Sequence, residues 1–122
     1  MPNTILVVED HDDSRRLYKQ MLEEAGFCVI EAADGYEALE QFKEKHPNVI
    51  LMDMALPSMD GLAATRRIKD MMEIDNVPII GITAHGNFYN DRAIEAGCDA
   101  IISKPIDLDK LKSIISFFMN PI

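Results

Sequence analysis

The sequence predicts an α/β domain in which a parallel β-sheet carries helices on both faces. Two observations lead there. Five short apolar runs alternate with five longer amphipathic segments between Thr4 and Met119, the rhythm of repeated βα units. The strongest runs are apolar without interruption, as strands are when both faces are covered. A length of 122 residues suits one domain, because at this size folding removes about two-thirds of the unfolded chain's surface from water.

Ile5-Leu6-Val7-Val8 is the first strand. Residues 13–25 follow as a helix with Leu17, Met21, Leu22 and Ala25 on one face and Gly26 as its stop. Phe27–Ala32 is half polar and reads as an edge strand. Residues 35–46 place Ala38, Leu39 and Phe42 together and close at His46-Pro47. Val49-Ile50-Leu51-Met52 is the third strand, and 60–72 the third helix, built on Ala64, Ile68, Met71 and Met72. The fourth strand is Val77–Ile82, with Pro78 tolerated at its start. Helix 88–96 offers Ala93, Ile94 and Ala96 and stops at Gly97. Ala100-Ile101-Ile102 is the fifth strand, and helix 107–119 carries Leu108, Leu111, Ile115 and Phe118 behind Asp107 as N-cap. The methionines read as core filler.

Composition excludes several classes. Asp and Glu outnumber Lys and Arg by 21 to 12, a net charge of −9. That argues against nucleic-acid or anionic-membrane surfaces, which need a basic stripe, and permits a divalent cation or a basic partner. Cys28 and Cys98 stand far apart without metal-site spacing and read as two buried, reduced thiols. The start lacks a basic leader region, no apolar stretch approaches a membrane span, and neither end carries a lipidation motif. The expected location is cytoplasmic.

Function enters at the strand ends. Glu9-Asp10 follow the first strand, Asp53 the third, Thr83 the fourth and Ser103-Lys104 the fifth. In a parallel sheet these ends share one edge, where open α/β sheets bind ligands. Three carboxylates a few ångströms apart cannot all stay ionised unless a proton or a cation joins them. A hard cation such as Mg²⁺ resolves the conflict through oxygen ligands. The Lys104 ammonium and Thr83 hydroxyl then complete a clamp for a phosphoryl group, and a carboxylate can itself attack phosphorus.

The set Glu9-Asp10, Asp53, Thr83-Ala84 and Lys104-Pro105, with the phrases ILVVED, VILMDMALPSMDGL, VPIIGITAH and AGCDAIISKPID, closely resembles the receiver domain of two-component response regulators over about residues 3–120. The likeness is to the stand-alone kind, as in chemotaxis-type and polar-differentiation-type regulators. It implies a flavodoxin-like (receiver) fold with strand order 2-1-3-4-5, and residues 1–122 as one receiver without an output domain. By this resemblance Asp53 is the phosphoacceptor. Asp10, Asp53 and the Ala55 backbone carbonyl ligate Mg²⁺, and Glu9 acts through water. Thr83 hydrogen-bonds a phosphoryl oxygen, Lys104 pairs with the group, and the Lys104–Pro105 bond is cis. Pro57 and Gly61 match the loop after the acceptor, where Gly61 suits a tight backbone path.

The implied donor is a histidine kinase or histidine phosphotransfer protein, and the implied output is a downstream protein partner bound on phosphorylation, by a monomer or weak dimer. Such a chain is not an enzyme beyond its own phosphorylation and dephosphorylation. The family usually places Tyr or Phe three residues before the lysine; here that switch position is Ile101, which is stiff at χ1. Reduced coupling from the acceptor to the fourth-helix face is expected, with the segment from Ala84 to Asn90 carrying the signal instead. Ala55 and His85 occupy rate-tuning positions. His11, Arg15 and Arg16 read as solvated, His46 as a helix end, and Tyr89 as a partner-facing aromatic.

Rivals weigh less. A receiver cut from a hybrid kinase or multidomain regulator, or one signalling by contact alone, shares the residues. An aspartyl-phosphate phosphatase wants a carboxylate where Ala55 stands. A flavodoxin wants a phosphate-cradling loop where Glu9-Asp10-His11-Asp12-Asp13 would repel its cofactor.

Overall fold

The structure, a computed structural model, describes residues 3–56, 59–72, 76–84 and 90–119. Pro57, His85 and Tyr89 lie outside the described residues. The order is β1 (Thr4–Val8), α1 (Asp12–Glu24), β2 (Cys28–Ala32), α2 (Gly35–Lys45), β3 (Val49–Asp53), α3 (Gly61–Met71), β4 (Ile79–Thr83), α4 (Asn90–Ala96), β5 (Ala100–Ser103) and α5 (Leu108–Met119). The strands form one parallel sheet in the order β2-β1-β3-β4-β5, so the expected alternation and strand order are both present.

Side chains alternate across each strand, and here both sides are apolar. Leu6, Val8, Ile50 and Met52 point to one face, where they pack with Ala38, Ala64, Ile68 and Ala93 from α2, α3 and α4. Ile5, Val7, Leu51, Ile80 and Ile82 point to the other, against Tyr18 and Leu22 of α1 and Leu111 and Ile115 of α5. This double burial is why β1, β3 and β4 read as unbroken apolar runs. Gly26 and Gly97 end α1 and α4 with φ of 100° and 121°, a conformation glycine adopts without Cβ strain.

The starts of α2, α3 and α5 are capped by aspartates. The Asp34 and Asp60 carboxylates accept from the backbone N–H of Glu37 and Ala63, each at 2.8 Å. Asp107 accepts from Asp109 N–H at 3.0 Å, matching its expected cap role. At the strands' N-terminal edge, Lys69 of α3 donates to Asp99 Oδ2 at 2.9 Å, and the same oxygen accepts from Ile79 N–H at 2.9 Å. That ties α3, the start of β4 and the turn before β5 together.

Four expectations about faces are corrected. Leu17 is exposed and Tyr18 is buried in its place, because α1 packs through the Tyr18–Leu22 pair one residue on. Ala25 is exposed at the end of that helix. Ile94 is exposed, since among the described side chains of α4 only Ala93 and Ala96 turn inward. Cys28 is exposed at the start of the edge strand, while Cys98 is buried as expected.

Candidate functional site

Parallel register delivers the polar residues to one rim. Val8 pairs with Met52, so Glu9 and Asp53 emerge side by side from β1 and β3. Asp53 pairs with Ile82 and Thr83 with Ser103, which brings Thr83 alongside and Lys104 one residue beyond. Backbone hydrogen bonds from Met54 N–H to Ile82 O (2.9 Å) and from Lys104 N–H to Thr83 O (2.8 Å) carry the sheet past the strand ends.

The site is a charged cluster largely withdrawn from water. Glu9 is fully buried, and Asp53 and Thr83 are almost so. The Lys104 ammonium donates to Glu9 Oε1 at 3.3 Å and to Asp53 Oδ2 at 3.4 Å. Asp53 Oδ1 accepts from the Ala55 backbone N–H at 2.9 Å. Glu9 Oε2 accepts from the His11 backbone N–H at 3.2 Å. The Thr83 hydroxyl lies 3.5 Å from that of Ser103.

Electrostatics divide the two inner carboxylates. Burial pushes the Asp53 carboxyl up to about 6; the adjacent Glu9 charge adds to this, while Ala55 N–H and Lys104 oppose it. Burial also works against the Glu9 charge, yet the His11 N–H, the Asp53 carboxyl and Lys104 hold Glu9 down at about 2. Lys104 likewise resists burial, and its two carboxylate neighbours raise it above the ordinary lysine range.

Every described residue expected at the site is placed. Glu9, Asp53, Thr83 and Lys104 converge, and Asp10 borders them. Ala55 engages Asp53 through its N–H. Ala84 is exposed at the end of β4. Ile101 is half-buried against the core, its Cδ1 3.4 Å from the position a Cβ on Gly81 would take. The Lys104–Pro105 bond is cis, as the resemblance implied.

Two residues read as solvated belong to the site's frame. Arg15 donates to the Glu9 carbonyl at 2.9 Å, pairs with Asp12 at 2.7 Å and reaches Glu31 of β2 at 3.4 Å. Its fork thus holds the backbone that presents Glu9 and Asp10, a geometry lysine cannot copy. The Asp12 pairing has a signal in sequence, the i,i+3 spacing; the contacts to Glu9 and Glu31 have none. Arg15→Ala is expected to cost about 1–2 kcal/mol in urea unfolding, with Arg15→Lys restoring little of it. The second is His11, whose ring is mostly exposed but whose Nδ1 lies 3.3 Å from Glu9 Oε2 and 3.4 Å from Asp10 Oδ1.

The donors fit a hard divalent cation. Asp10 Oδ1 is buried without a hydrogen-bond partner, which costs free energy unless something positive reaches it. Ligand atoms of Glu9, Asp10 and His11 lie within 4.8 Å of one another. Oxygen ligands of this kind suit Mg²⁺, whose shell waters would complete.

A parallel sheet in this order, with acids from β1 and β3 and a lysine from β5 at one rim, defines a class. The chain belongs to the response regulator receiver domain family, whose profile matches residues 5–116. Among curated relatives it is similar to the polar-differentiation response regulator DivK of Brucella ovis, 34% identical over 98% of both chains. Among solved structures it is similar to the receiver domain of a Pseudomonas aeruginosa sensor histidine kinase (TM-score 0.90, 31% identity, 98% of both chains), crystallised with a magnesium ion coordinated in its active site cleft. It is also similar to the signal receiver domain of a histidine kinase from Syntrophus aciditrophicus (TM-score 0.89, 29% identity, 98% of this chain and 92% of that one). Receivers of this family act in two-component signalling. No helix among the described residues is long and apolar enough to cross a membrane.

Proposed function

We propose that Asp53 accepts a phosphoryl group from the phosphohistidine of a histidine kinase or phosphotransfer protein, with Mg²⁺ held at Asp10, Asp53 and the Ala55 carbonyl, and that the phosphorylated chain signals by binding a downstream protein. The reading carries cytoplasmic operation with it, and the likeness to a polar-differentiation response regulator over 98% of both chains supports the signalling role. The observation that carries it is the Lys104 ammonium shared between Glu9 and Asp53 at a buried rim. An ammonium there meets charge that grows on phosphoryl oxygens during transfer.

The steps follow from the groups present. An Asp53 carboxylate oxygen attacks phosphorus; the new O–P bond forms as the donor's N–P bond breaks, and the electron pair leaves with the donor imidazole. Ala55 N–H fixes the carboxylate's orientation through Oδ1. Thr83 stands at the end of β4, where its hydroxyl can leave Ser103 for a phosphoryl oxygen. Mg²⁺, when bound, supplies the positive charge that lets the carboxylates and the phosphoryl oxygens share one site. Ile101, packed inward beside Gly81, supports weak coupling from this event to the α4 face.

Acetyl phosphate tests the reading. With Mg²⁺ the intact mass should rise by one phosphoryl group, chelation should prevent the gain, and peptide mapping should place it on Asp53. A label on another residue, or labelling indifferent to chelation, overturns the assignment.

A further inference from the structure

β4 and β5 set two hydroxyls opposite one another at the rim. Thr83 pairs with Ser103 in the parallel register, next along the same face from the Gly81–Ile101 pair. The Lys104 N–H bond to Thr83 O, 2.8 Å long, holds the strands together at that point. Thr83 is almost wholly buried, whereas Ser103 is exposed on an edge strand. Among the described residues, Ser103 Oγ is the hydrogen-bond partner of Thr83 Oγ1, at 3.5 Å. That is long beside the about 2.7–2.8 Å of a tight hydroxyl pair, so it restrains the threonine without locking it. Ile101 cannot share the task. It has no polar side-chain atom, and its Cδ1 lies inward, 3.4 Å from where a Cβ on Gly81 would stand.

We infer that Ser103 is the resting-state latch of Thr83: its hydroxyl holds the threonine side chain across the β4–β5 ladder until a phosphoryl oxygen on Asp53 takes that hydrogen bond over. This deepens the phosphoacceptor reading above and rests on it. A charged phosphoryl oxygen accepts more strongly than a neutral hydroxyl, so the exchange favours the phosphorylated state. The two hydroxyls fare differently once they part. Ser103 faces water, which satisfies it at once. Thr83 is buried and depends on the group it next reaches. Ser103 therefore weights the resting state and acts on Asp53 chemistry only through Thr83, as a positioning residue. Its release also changes a surface group on the edge strand β5, beside the position where the family's aromatic is replaced by Ile101.

The test titrates the full chain with beryllofluoride, a phosphoryl mimic, in excess Mg²⁺, reading the amide resonances of Met54 and Ala55. Parent, Ser103→Ala and Ser103→Thr are compared, with Ser113→Ala on the exposed side of α5 as control. Three-bond couplings to the Thr83 methyl report its χ1 in the mimic-free proteins. Ser103→Ala leaves the Thr83 hydroxyl without its resting partner and spares the mimic-bound state. Its beryllofluoride affinity is expected to rise by about two- to tenfold, with Thr83 averaging over rotamers. Ser103→Thr is expected to return both to parental values, and Ser113→Ala to leave both unchanged. A merely structural role for Ser103 would lower stability without tightening mimic binding. Unchanged or weaker affinity in Ser103→Ala, or a Thr83 side chain that already averages in the parent, overturns the latch and leaves the phosphoacceptor reading standing. Failure of the parent to bind beryllofluoride overturns both.

Discussion

Asp53→Asn is expected to abolish phosphoryl uptake and, in the metal-free protein, to raise stability at pH 7. The first effect is the loss of the nucleophile: an amide oxygen does not form an acyl phosphate here. The second follows from burial. The folded Asp53 carboxyl titrates near 6 against a reference of 3.8, so above pH 6 the fold carries the cost of a charge the unfolded chain solvates freely. As pH falls from about 6 towards 4, the folded state takes up a proton the unfolded state does not, and stability rises. Below the reference value both states are protonated and the gain stops.

Glu9 has the opposite sign. Its lowered value contributes stability above its reference of 4.5 that is lost as pH falls towards 2, so Asp53 acts alone between about 6 and 4.5. The Asp53 effect is on the order of 2–3 kcal/mol. Asparagine keeps the acceptor for Ala55 N–H but gives Lys104 one partner fewer, leaving a net gain at pH 7 of about 1–2 kcal/mol, or roughly 5 °C in Tm. Urea titrations in EDTA at pH 7 and pH 5 check both parts. A parent no more stable at pH 5 than at pH 7, or a variant with the same pH dependence as the parent, contradicts the electrostatic account.

Gly61→Ala is expected to be among the most destabilising single-methyl additions in the chain. A Cβ there would stand 2.5 Å from Met54 Cα and 2.9 Å from the Asp53 carbonyl carbon, and would overlap the Asp53 carbonyl oxygen. These are backbone atoms that cannot turn aside as a side chain does. The Gly61 N–H also donates to Met54 O at 3.2 Å, tying the start of α3 to the segment after Asp53. Relief requires α3 to back away from β3, which opens the packing of Ala64 and Ile68 against Ile50 and Met52. The cost is about 2–4 kcal/mol, overpacking and lost burial together. It is read by urea unfolding, with displaced amide resonances at Met54 and Ala55 as the local signature. Near-parental stability would show that the helix start shifts freely.

The fold and the rim were legible for one physical reason. Parallel strands must all end on one edge, so Glu9, Asp53, Thr83 and Lys104 could be brought together without knowing any distance, and the structure brings them together. What the sequence hid lies in helix rotation and in long side chains. Leu17 and Tyr18 are both apolar enough to face a core, and only packing against the sheet decides for Tyr18. Arg15 reads as solvent-exposed because nothing local discloses that Glu9's carbonyl and Glu31 lie within its reach. His11 reads as solvent-facing for a different reason: its partners Glu9 and Asp10 are adjacent in the chain, but spacing alone does not say which way the ring turns. The Asp107 cap is legible from its place just ahead of a helical pattern, and Asp34 and Asp60 carry the same signal although they are not among the expected caps.

Among the described side chains of α4, Ala93 and Ala96 make up the inward face. Two methyl groups present a nearly smooth surface, with no branched side chain seated in a socket that sliding must first empty. At its far end the chain is moored by Asp99, held by Lys69 and the Ile79 N–H. A short rod resting on so low-relief a bearing slides at small enthalpic cost. So smooth a seat lets the helix slip but gives a message from Thr83 little to grip, in keeping with weak transmission where the customary aromatic is replaced by isoleucine.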